Sequence, residues 1–523
     1  MGRLEGRRSG VARIALGWAL LAVAWAFGNA PFASQDEVQH YTRAAGVWNG
    51  SLVAQRVSRP PLAGVPPGQV DSYLATVGSA RVPAGLAPPD ARCFAGIATR
   101  PASCLSTRAP TSRAITGITN VATYPPLPYL VQGAALRPAA DPLQAVFLGR
   151  LAGTVVAVAL IAAALALLAA GAPSGLWPLG TLAATTPMVL FSAASLGGSG
   201  LEICAAIAFW VALLRLTRIS DGPGAPRAAW ALLGVAGATL ALARSSGLLP
   251  LFLAVPLAVG LVGLRGALAR LRAGGRAAAG ALAAIVAGML LSRLWEASQR
   301  AGTGSGSEIG LRGARGAVRE GVSQSADVVV GAVGRFGYLE VGIPGVATWA
   351  WLACCGALLV VAALIASQRE RCVLLVAVLV GSALPLALWL ELVRWTGFGL
   401  QGRYLLPTFV ALPLLAGELL TRHADRVPGR VRLALCAVLP GVLGAVQAVA
   451  WWWNARRMAV GTDGGLLFPG AAEWSPPAGW WPWIVLALLG SAALATGGLA
   501  ELRRVASASE SRRVATPAQG PIP

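Results

Sequence analysis

Apolar runs of about 20 residues recur from one end of the chain to the other, the length needed to cross a ~30 Å hydrocarbon layer at ~1.5 Å per helical residue. Candidate spans fall near residues 11–29, 143–171, 175–192, 199–217, 227–244, 247–264, 277–294, 346–366, 372–393, 403–421, 431–453 and 481–500, which is 12 in all. Of the 523 residues 56% are hydrophobic and only 12% charged, a balance that suits lipid contact and leaves a soluble fold too little polar surface. The reading is an all-α polytopic membrane protein with about 12 transmembrane helices and a large first extracytoplasmic loop.

A formal charge of +21 would point to nucleic acid in a soluble protein, but here the basic residues must be counted by side of the membrane. All 42 are arginine, the pattern of a GC-rich bacterial genome, and no chemistry is drawn from it. The segments MGRLEGRRSGVAR, RLTRISDGPGAPR, RGALARLRAGGR, SQRER, TRHADRVPGRVR and ELRRVASASESRR alternate with poorly charged turns. All fall on one side if the N-terminus is cytoplasmic. The expectation is a multi-pass protein of the bacterial plasma membrane with both termini inside and no nucleic-acid partner. It divides into a cytoplasmic start at 1–10, a membrane domain at 11–502 and a disordered cytoplasmic tail at 503–523, with outer loops at 30–142, 295–345 and 454–480. A cleaved signal peptide is the alternative reading of the first run, and residue 34 lies outside either way. The Pro-rich YPPLPYLVQGAALR, 124–137, is too short to cross and should lie against or dip into the outer face.

Cys93 and Cys104 share the first outer loop, where oxidation is permitted, and could close a small disulfide loop; the other five cysteines fall in or near spans as packing residues. With only two histidines, no HExxH and no CxxC, a His-based metal site is not expected.

The polar stretch SQDEVQHYTRAAGVWNG, 34–50, follows directly on the first apolar run. Ser34 with Glu37 three residues later forms a capping box, and Asp36 suits the positive end of a helix dipole, so local structure alone explains both acids. A helix over 35–48 puts Asp36, His40 and Arg43 on one face and Tyr41, Ala45 and Trp48 on a more apolar neighbouring face, so that it would lie flat on the outer leaflet. The competing reading is that the acids carry chemistry. Acidic residues in spans are scarce; Glu202 and Glu391 sit near outer ends. Arg293, Arg394, Arg403, Arg456 and Arg457 also sit at outer ends, where the positive-inside bias gives no reason for them. A phosphate or anionic headgroup is one reason; snorkelling beside tryptophans is the other and fits Arg456 and Arg457 better than Arg403.

SQDEVQHYTRAAGVWNG, YPPLPYLVQG, TPMVLFSAASLGGSGLEI, VGRFGYLE and LQGRYLLP, in this order, resemble the bacterial membrane family of domain of unknown function 2142, over about residues 12–460. Where the family pattern has Pro before the acidic pair, Asn-Pro in the glycine turn and FGWLD, this chain has Ser34-Gln35, Gly197-Gly198 and FGYLE. That family is in turn similar to the C-type multi-span glycosyltransferases, which take sugar from a polyprenyl-phosphate donor on the outer face. In protein mannosyltransferases and lipid A aminoarabinose transferases an acidic pair follows the first span, in the place of Asp36-Glu37 here. The resemblance implies a C-type glycosyltransferase-like fold, with Asp36 as catalytic base.

Inverting displacement at an anomeric carbon needs a carboxylate to take the acceptor's proton and positive charge to steady the departing phosphate. Arg403 in LQGRY is the expected phosphate ligand, with Tyr404 beside it and Arg335 as the second candidate. Glu37 could orient the acceptor or hold a divalent cation, the helix cap being its competing role. His40 could position the carboxylate, and Glu202 and Arg394 are supporting candidates. The function expected is transfer of a sugar from a polyprenyl-phosphate donor to an extracytoplasmic envelope glycan or lipid. The alternative is a non-enzymatic transporter or scaffold for lipid-linked envelope glycans. A shared outward cavity holding Asp36 and Arg403, with charged ends about 8–12 Å apart, would favour the enzyme.

Overall fold

The computed structural model describes residues 2–56, 76–105, 113–170, 175–218, 227–300, 314–396 and 400–514. It is mostly helical. Among the described residues eight helices are long and apolar enough to cross a membrane: Ser9–Gly28, Pro142–Ala170, Gly198–Thr217, Ser245–Gln299, Gly345–Ile365, Gln368–Leu390, Gly402–Arg422 and Gly429–Val460. The difference from the expected 12 has physical causes. Residues 248–300 run as one helical stretch bent at Gly263 and Gly275, whose backbones leave the helical region. The apolar helices Arg227–Ala243 and Trp481–Gly497 are shorter. The stretch 175–193 is broken in two, Leu179–Ala184 and Pro187–Ala193, because Pro187 cannot donate to the preceding turn and Thr186 caps the second piece by accepting from Val189 N.

That broken helix is buried along its length and lies at the centre of the bundle. Its freed polar groups are satisfied by neighbours: Gln447 donates to Thr185 O at 2.8 Å, and Thr186 Oγ1 donates to Ala332 O at 2.7 Å. Its first half meets the helix Ala411–Arg422 backbone to backbone, since a Cβ on Gly417 would stand 2.6 Å from Gly180 Cα. Only small residues allow so close a crossing.

The chain is not all-α. Three short strands, Gln55–Arg56, Gly78–Val82 and Ile115–Thr119, pair antiparallel with Gly78–Val82 in the middle. They cover the helix Glu37–Val47, which therefore does not lie flat on a leaflet: His40, Tyr41, Arg43 and Ala44 are all buried. Arg43, expected on one face with Asp36 and His40, donates to Ser51 O and Leu52 O at 2.8 and 2.7 Å. YPPLPYLVQGAALR forms the helix Leu127–Leu136, packed on Glu37–Val47 and on the Pro142–Ala170 span. The last helix runs to Val514, through residues expected to be a disordered tail from 503, because nothing between Glu501 and Val514 breaks a helix; 515–523 lie outside the described residues.

At the bundle end opposite this loop-rich face, the ends of several helices are tied by a saturated charge network. Glu418 accepts from Arg218 at 2.8 and 2.5 Å and from Arg422 at 2.9 Å. Glu370 accepts from Ser367 N and Oγ at 3.0 and 2.7 Å, pairs with His423 at 2.7 Å and meets Arg422 at 3.5 Å.

Candidate functional site

After the first span the chain turns at Asn29–Ser34. Ser34 Oγ accepts from Asn29 Nδ2 at 2.9 Å and bonds Ser195 Oγ at 2.7 Å. It is thus not a side-chain cap, and the expected capping box does not form. Asp36 is the residue before the helix, in the left-handed conformation (φ 60°, ψ 12°), with no side-chain capping bond. Asp tolerates this region better than most residues, at a cost of about 1 kcal/mol. Its effect is to send two neighbouring carboxylates in opposite directions.

Glu37 points into the bundle. Arg150, alone in the second span's apolar run, donates to its two oxygens at 2.7 and 2.6 Å, and Leu196 N adds a third bond at 3.0 Å. Arg150 also donates to the carbonyls of Ala26, Asn29 and Ala30 at 2.8, 2.6 and 2.8 Å, at the C-terminal end of the first span and the turn after it. Both side chains are 0% exposed. The reading of Glu37 as an acceptor-orienting or cation-holding residue is corrected accordingly: its oxygens are engaged by Arg150, and the pair fastens the helix Glu37–Val47 and the end of the first span to the second span.

Asp36 points the other way, into a ring of arginines and tyrosines. Its Oδ2 accepts from Arg403 Nη2 at 3.1 Å, with the carboxylate side chain 32% exposed and Arg403 9%. The expected 8–12 Å gap is replaced by a direct ion pair. Arg403 is brought there by the start of the helix Gly402–Phe409, where Gly402 packs so closely on the backbone of Gly331 and Ala332 that any side chain would collide. Gln401 Oε1 takes its Nε at 2.9 Å.

Arg403 stacks on Tyr404 at 5.3 Å from the ring centre, and a second guanidinium, Arg244, lies 4.7 Å from the same ring and 5.2 Å from Tyr124. Arg244 donates to Ser199 Oγ at 3.0 Å and Tyr124 OH at 3.3 Å, and faces Glu202 at 3.6 Å. Ser246 Oγ donates to the other Glu202 oxygen at 2.6 Å. His40 is buried beside them with Nδ1 2.8 Å from Tyr129 OH. Burial, then the charges of Arg403 and Arg244, hold its pKa well below the usual histidine value, so the imidazole is neutral at pH 7. Tyr338, half-buried, completes the ring; burial and then Asp36 and Glu37 push its hydroxyl above the ordinary tyrosine range.

Other expected residues lie elsewhere. Arg335 pairs with Asp327 at 3.6 Å rather than with Asp36. The side chains of Arg394 and Glu391 lie outside the described residues. Cys93 and Cys104 are joined in a disulfide. Arg456 donates to Thr462 O and Gly464 O, and Arg457 is 1% exposed in an ion pair with Glu340, so neither snorkels. Among the described residues no three His, Cys, Asp or Glu side chains are grouped to hold a metal. Sequence reasoning passed over Arg150, Arg244 and Tyr338. For Arg150 a signal existed: a single charge in a span, in VFLGRLAG, demands a buried partner.

One to two turns beyond Arg403 on its helix, Leu406 and Phe409 line an apolar cavity of ≈ 480 Å³ together with Thr186, Ala332 and Trp351; neither Asp36 nor Arg403 lines it, so it is not the shared cavity expected to hold them. A second, of ≈ 380 Å³, shares Phe409 and Leu412 with it and is walled by Trp210, Leu253 and Val373.

Helical bundle, membrane-length apolar helices and a polar cluster at one end define a polytopic membrane protein. Residues 19–412 match the family model described as "Predicted membrane protein (DUF2142)", and the chain belongs to that family. No curated protein and no solved structure matches it.

Proposed function

We propose that the protein is a membrane glycosyltransferase of about 12 spans. It moves a sugar from a polyprenyl-phosphate donor to an extracytoplasmic envelope glycan or lipid by inverting displacement. The single observation that carries this reading is the partly exposed Asp36–Arg403 pair, with a large apolar cavity lined by Leu406 and Phe409 one to two turns further along the helix that bears Arg403. A carboxylate, two guanidiniums and a greasy slot are the groups a lipid-linked sugar phosphate requires.

In this reading the donor phosphate takes over Arg403, with Arg244 close by, while the isoprenoid chain enters the cavity. Asp36 loses its partner and becomes free to act as base. It takes the proton of the acceptor hydroxyl as that oxygen bonds to the anomeric carbon, and the anomeric C–O bond breaks with its electron pair going to the phosphate. No general acid is needed, because phosphate is already a competent leaving group. Neutral His40 adds no charge to compete for the phosphate and holds Tyr129. In this reading the arginine-rich opposite end and both termini lie in the cytoplasm, and the site and the disulfide face the oxidising exterior.

The test is transfer from a radiolabelled polyprenyl-phosphate sugar by purified protein in lipid nanodiscs, comparing wild type with Asp36→Asn. Loss of transfer with unchanged insertion supports the reading; wild-type product levels from Asp36→Asn remove Asp36 as the base.

A further inference from the structure

Tyr338 reaches the site on a turn that is strained and held from outside. In the turn Gly337–Glu340, Gly337 has φ 64° and Leu339 φ 77°, and a leucine adopts that region only where its surroundings fix it. The strands Arg335–Phe336 and Val341–Gly342 close the turn. The Glu340 carboxylate folds back to accept the Tyr338 backbone N–H, and its other oxygen pairs with Arg457 at 2.9 Å.

Arg457 is in turn held by the disulfide loop. Its Nη2 donates to the carbonyls of Phe94 at 2.7 Å and Ile97 at 3.2 Å, and its guanidinium lies 5.4 Å from the centre of the Phe94 ring. The loop is docked on the same helix end by Thr462 N to Ala98 O at 3.0 Å, and Ser103 Oγ donates to Glu473 at 3.3 Å. Gly96, itself at φ 78°, passes over Tyr338: a Cβ there would stand 3.9 Å from Tyr338 Cβ. Besides Glu340, the acceptors that hold Arg457 are thus backbone carbonyls of the loop that the Cys93–Cys104 bond closes over a separation of 11; local turns (Ile97 N to Phe94 O at 3.0 Å, Arg100 N to Ile97 O at 3.1 Å) shape the loop, and the disulfide ties its two ends.

From this chain of contacts we infer that the Cys93–Cys104 loop is a redox-dependent clamp on the site: through Arg457 and Glu340 as positioning residues it holds Tyr338 where its hydroxyl contacts the ligand bound at Arg403. A dithiol reductant delivers two electrons and two protons to the S–S bond, giving two thiols and leaving as its own disulfide. The untied loop then lifts from the helix end, Arg457 loses two acceptors, and the strained turn relaxes. Contact of Tyr338 with a ligand at Arg403 rests on the donor binding proposed above; the link from the disulfide to the Tyr338 turn does not.

The experiment uses the full chain in nanodiscs before and after dithiothreitol, with free thiols counted by mass. Hydrogen exchange is followed in segments 93–104 and 335–343. Release of the disulfide should speed exchange about tenfold at the Tyr338 amide as well as in the loop; a faster loop with an unchanged 335–343 segment overturns the clamp. If the bond resists reduction, the Cys93→Ser/Cys104→Ser variant serves in its place, and if that variant is not recovered Arg457→Gln breaks the link between loop and turn in oxidised protein, where an unchanged 335–343 segment overturns the clamp.

Farnesyl phosphate is the binding probe. Its affinity should fall about tenfold on reduction and about fivefold in oxidised Tyr338→Phe, while Arg403→Ala binds weakly in both redox states. Equal affinity of wild type and Tyr338→Phe would remove Tyr338 from ligand contact. Failure of farnesyl phosphate to bind even oxidised wild type would count against the polyprenyl-phosphate reading alone, since the exchange measurement still decides the clamp.

Discussion

The two ends of the bundle use the same residue types to opposite effect. At the arginine-rich end, both Glu418 oxygens are held by arginines at 2.5–2.9 Å and Glu370 Oε2 takes three donors at 2.7–3.0 Å, and Arg422 also takes up the Leu214 carbonyl at a helix end. At the loop-rich end, Asp36 meets Arg403 through one 3.1 Å contact, stands 32% exposed and rests on a left-handed backbone. A carboxylate with all its hydrogen-bonding capacity used is a fastener; one left undersaturated beside two arginines is free to exchange partners. The same contrast separates Asp36 from its neighbour Glu37, so one turn of chain holds both behaviours.

The strongest way to break the comparison is to swap the fates of those two neighbours. Glu37→Gln leaves Arg150 charged and unpaired in the bundle, and removing one partner of a buried pair costs about 3–5 kcal/mol. The variant should show a large drop in thermal unfolding midpoint and in recovered folded protein, while the molecules that do fold still bind farnesyl phosphate. Glu418→Gln should behave in the same way at the opposite end. An unchanged melting midpoint in Glu37→Gln would show that the Glu37–Arg150 pair is not a fastener.

Asp36→Asn should do the reverse. Stability should change little, since the carboxylate is a third exposed and makes one contact with Arg403, whereas loss of a general base typically removes about 10²–10⁴-fold in rate. Single-turnover transfer in nanodiscs measures this, with melting as the control. A variant that melts early and transfers normally would place Asp36 among the fasteners.

Arg403→Ala sharpens the comparison at the donor side. A hydrogen bond to a charged group contributes about 1.5–3 kcal/mol, so farnesyl phosphate binding should weaken roughly 10- to 100-fold. The same change at Arg422 should lower stability and leave that binding alone. Equal binding in wild type and Arg403→Ala would take the guanidinium out of the anion site.

Much of this contrast was written in the sequence, though unevenly. Apolar length and arginine placement were legible because they answer to bilayer thickness and charge alone, and the order of short motifs brought Asp36 and Arg403 forward together. The direction of Glu37 was not legible. Local rules give it a capping role, and only a partner 113 positions away overrides them. Arg244 and Tyr338 were missed for the same reason: an arginine in ALARSSG and a tyrosine in a two-strand turn have nothing local that marks them, and their meaning comes from the rings and charges the fold sets beside them. The small sheet escaped notice because its strands are short and cover one helix rather than building a core.

The smallest expected effect concerns His40, which faces Arg403, Arg244, Tyr129 and Tyr124 and is kept neutral by burial and by those two positive charges. Its pKa is lower in the folded protein than the ~6.5 of the unfolded chain, so below that pH the unfolded state binds a proton that the folded state refuses. The stability this gives is fully present above about pH 6.5 and is lost as pH falls toward the folded value, at up to ~1.4 kcal/mol per pH unit. Carboxylates at both ends also respond to acid, so the quantity to read is the difference between wild type and His40→Gln. Between pH 7.5 and 5.5 the wild-type midpoint should fall more steeply than the variant's, although the variant, having lost the bond to Tyr129, starts lower. Parallel slopes would mean that His40 takes up its proton in the folded state, which would add a third positive charge beside Asp36 and make the site an anion trap at low pH rather than a neutral-pH base.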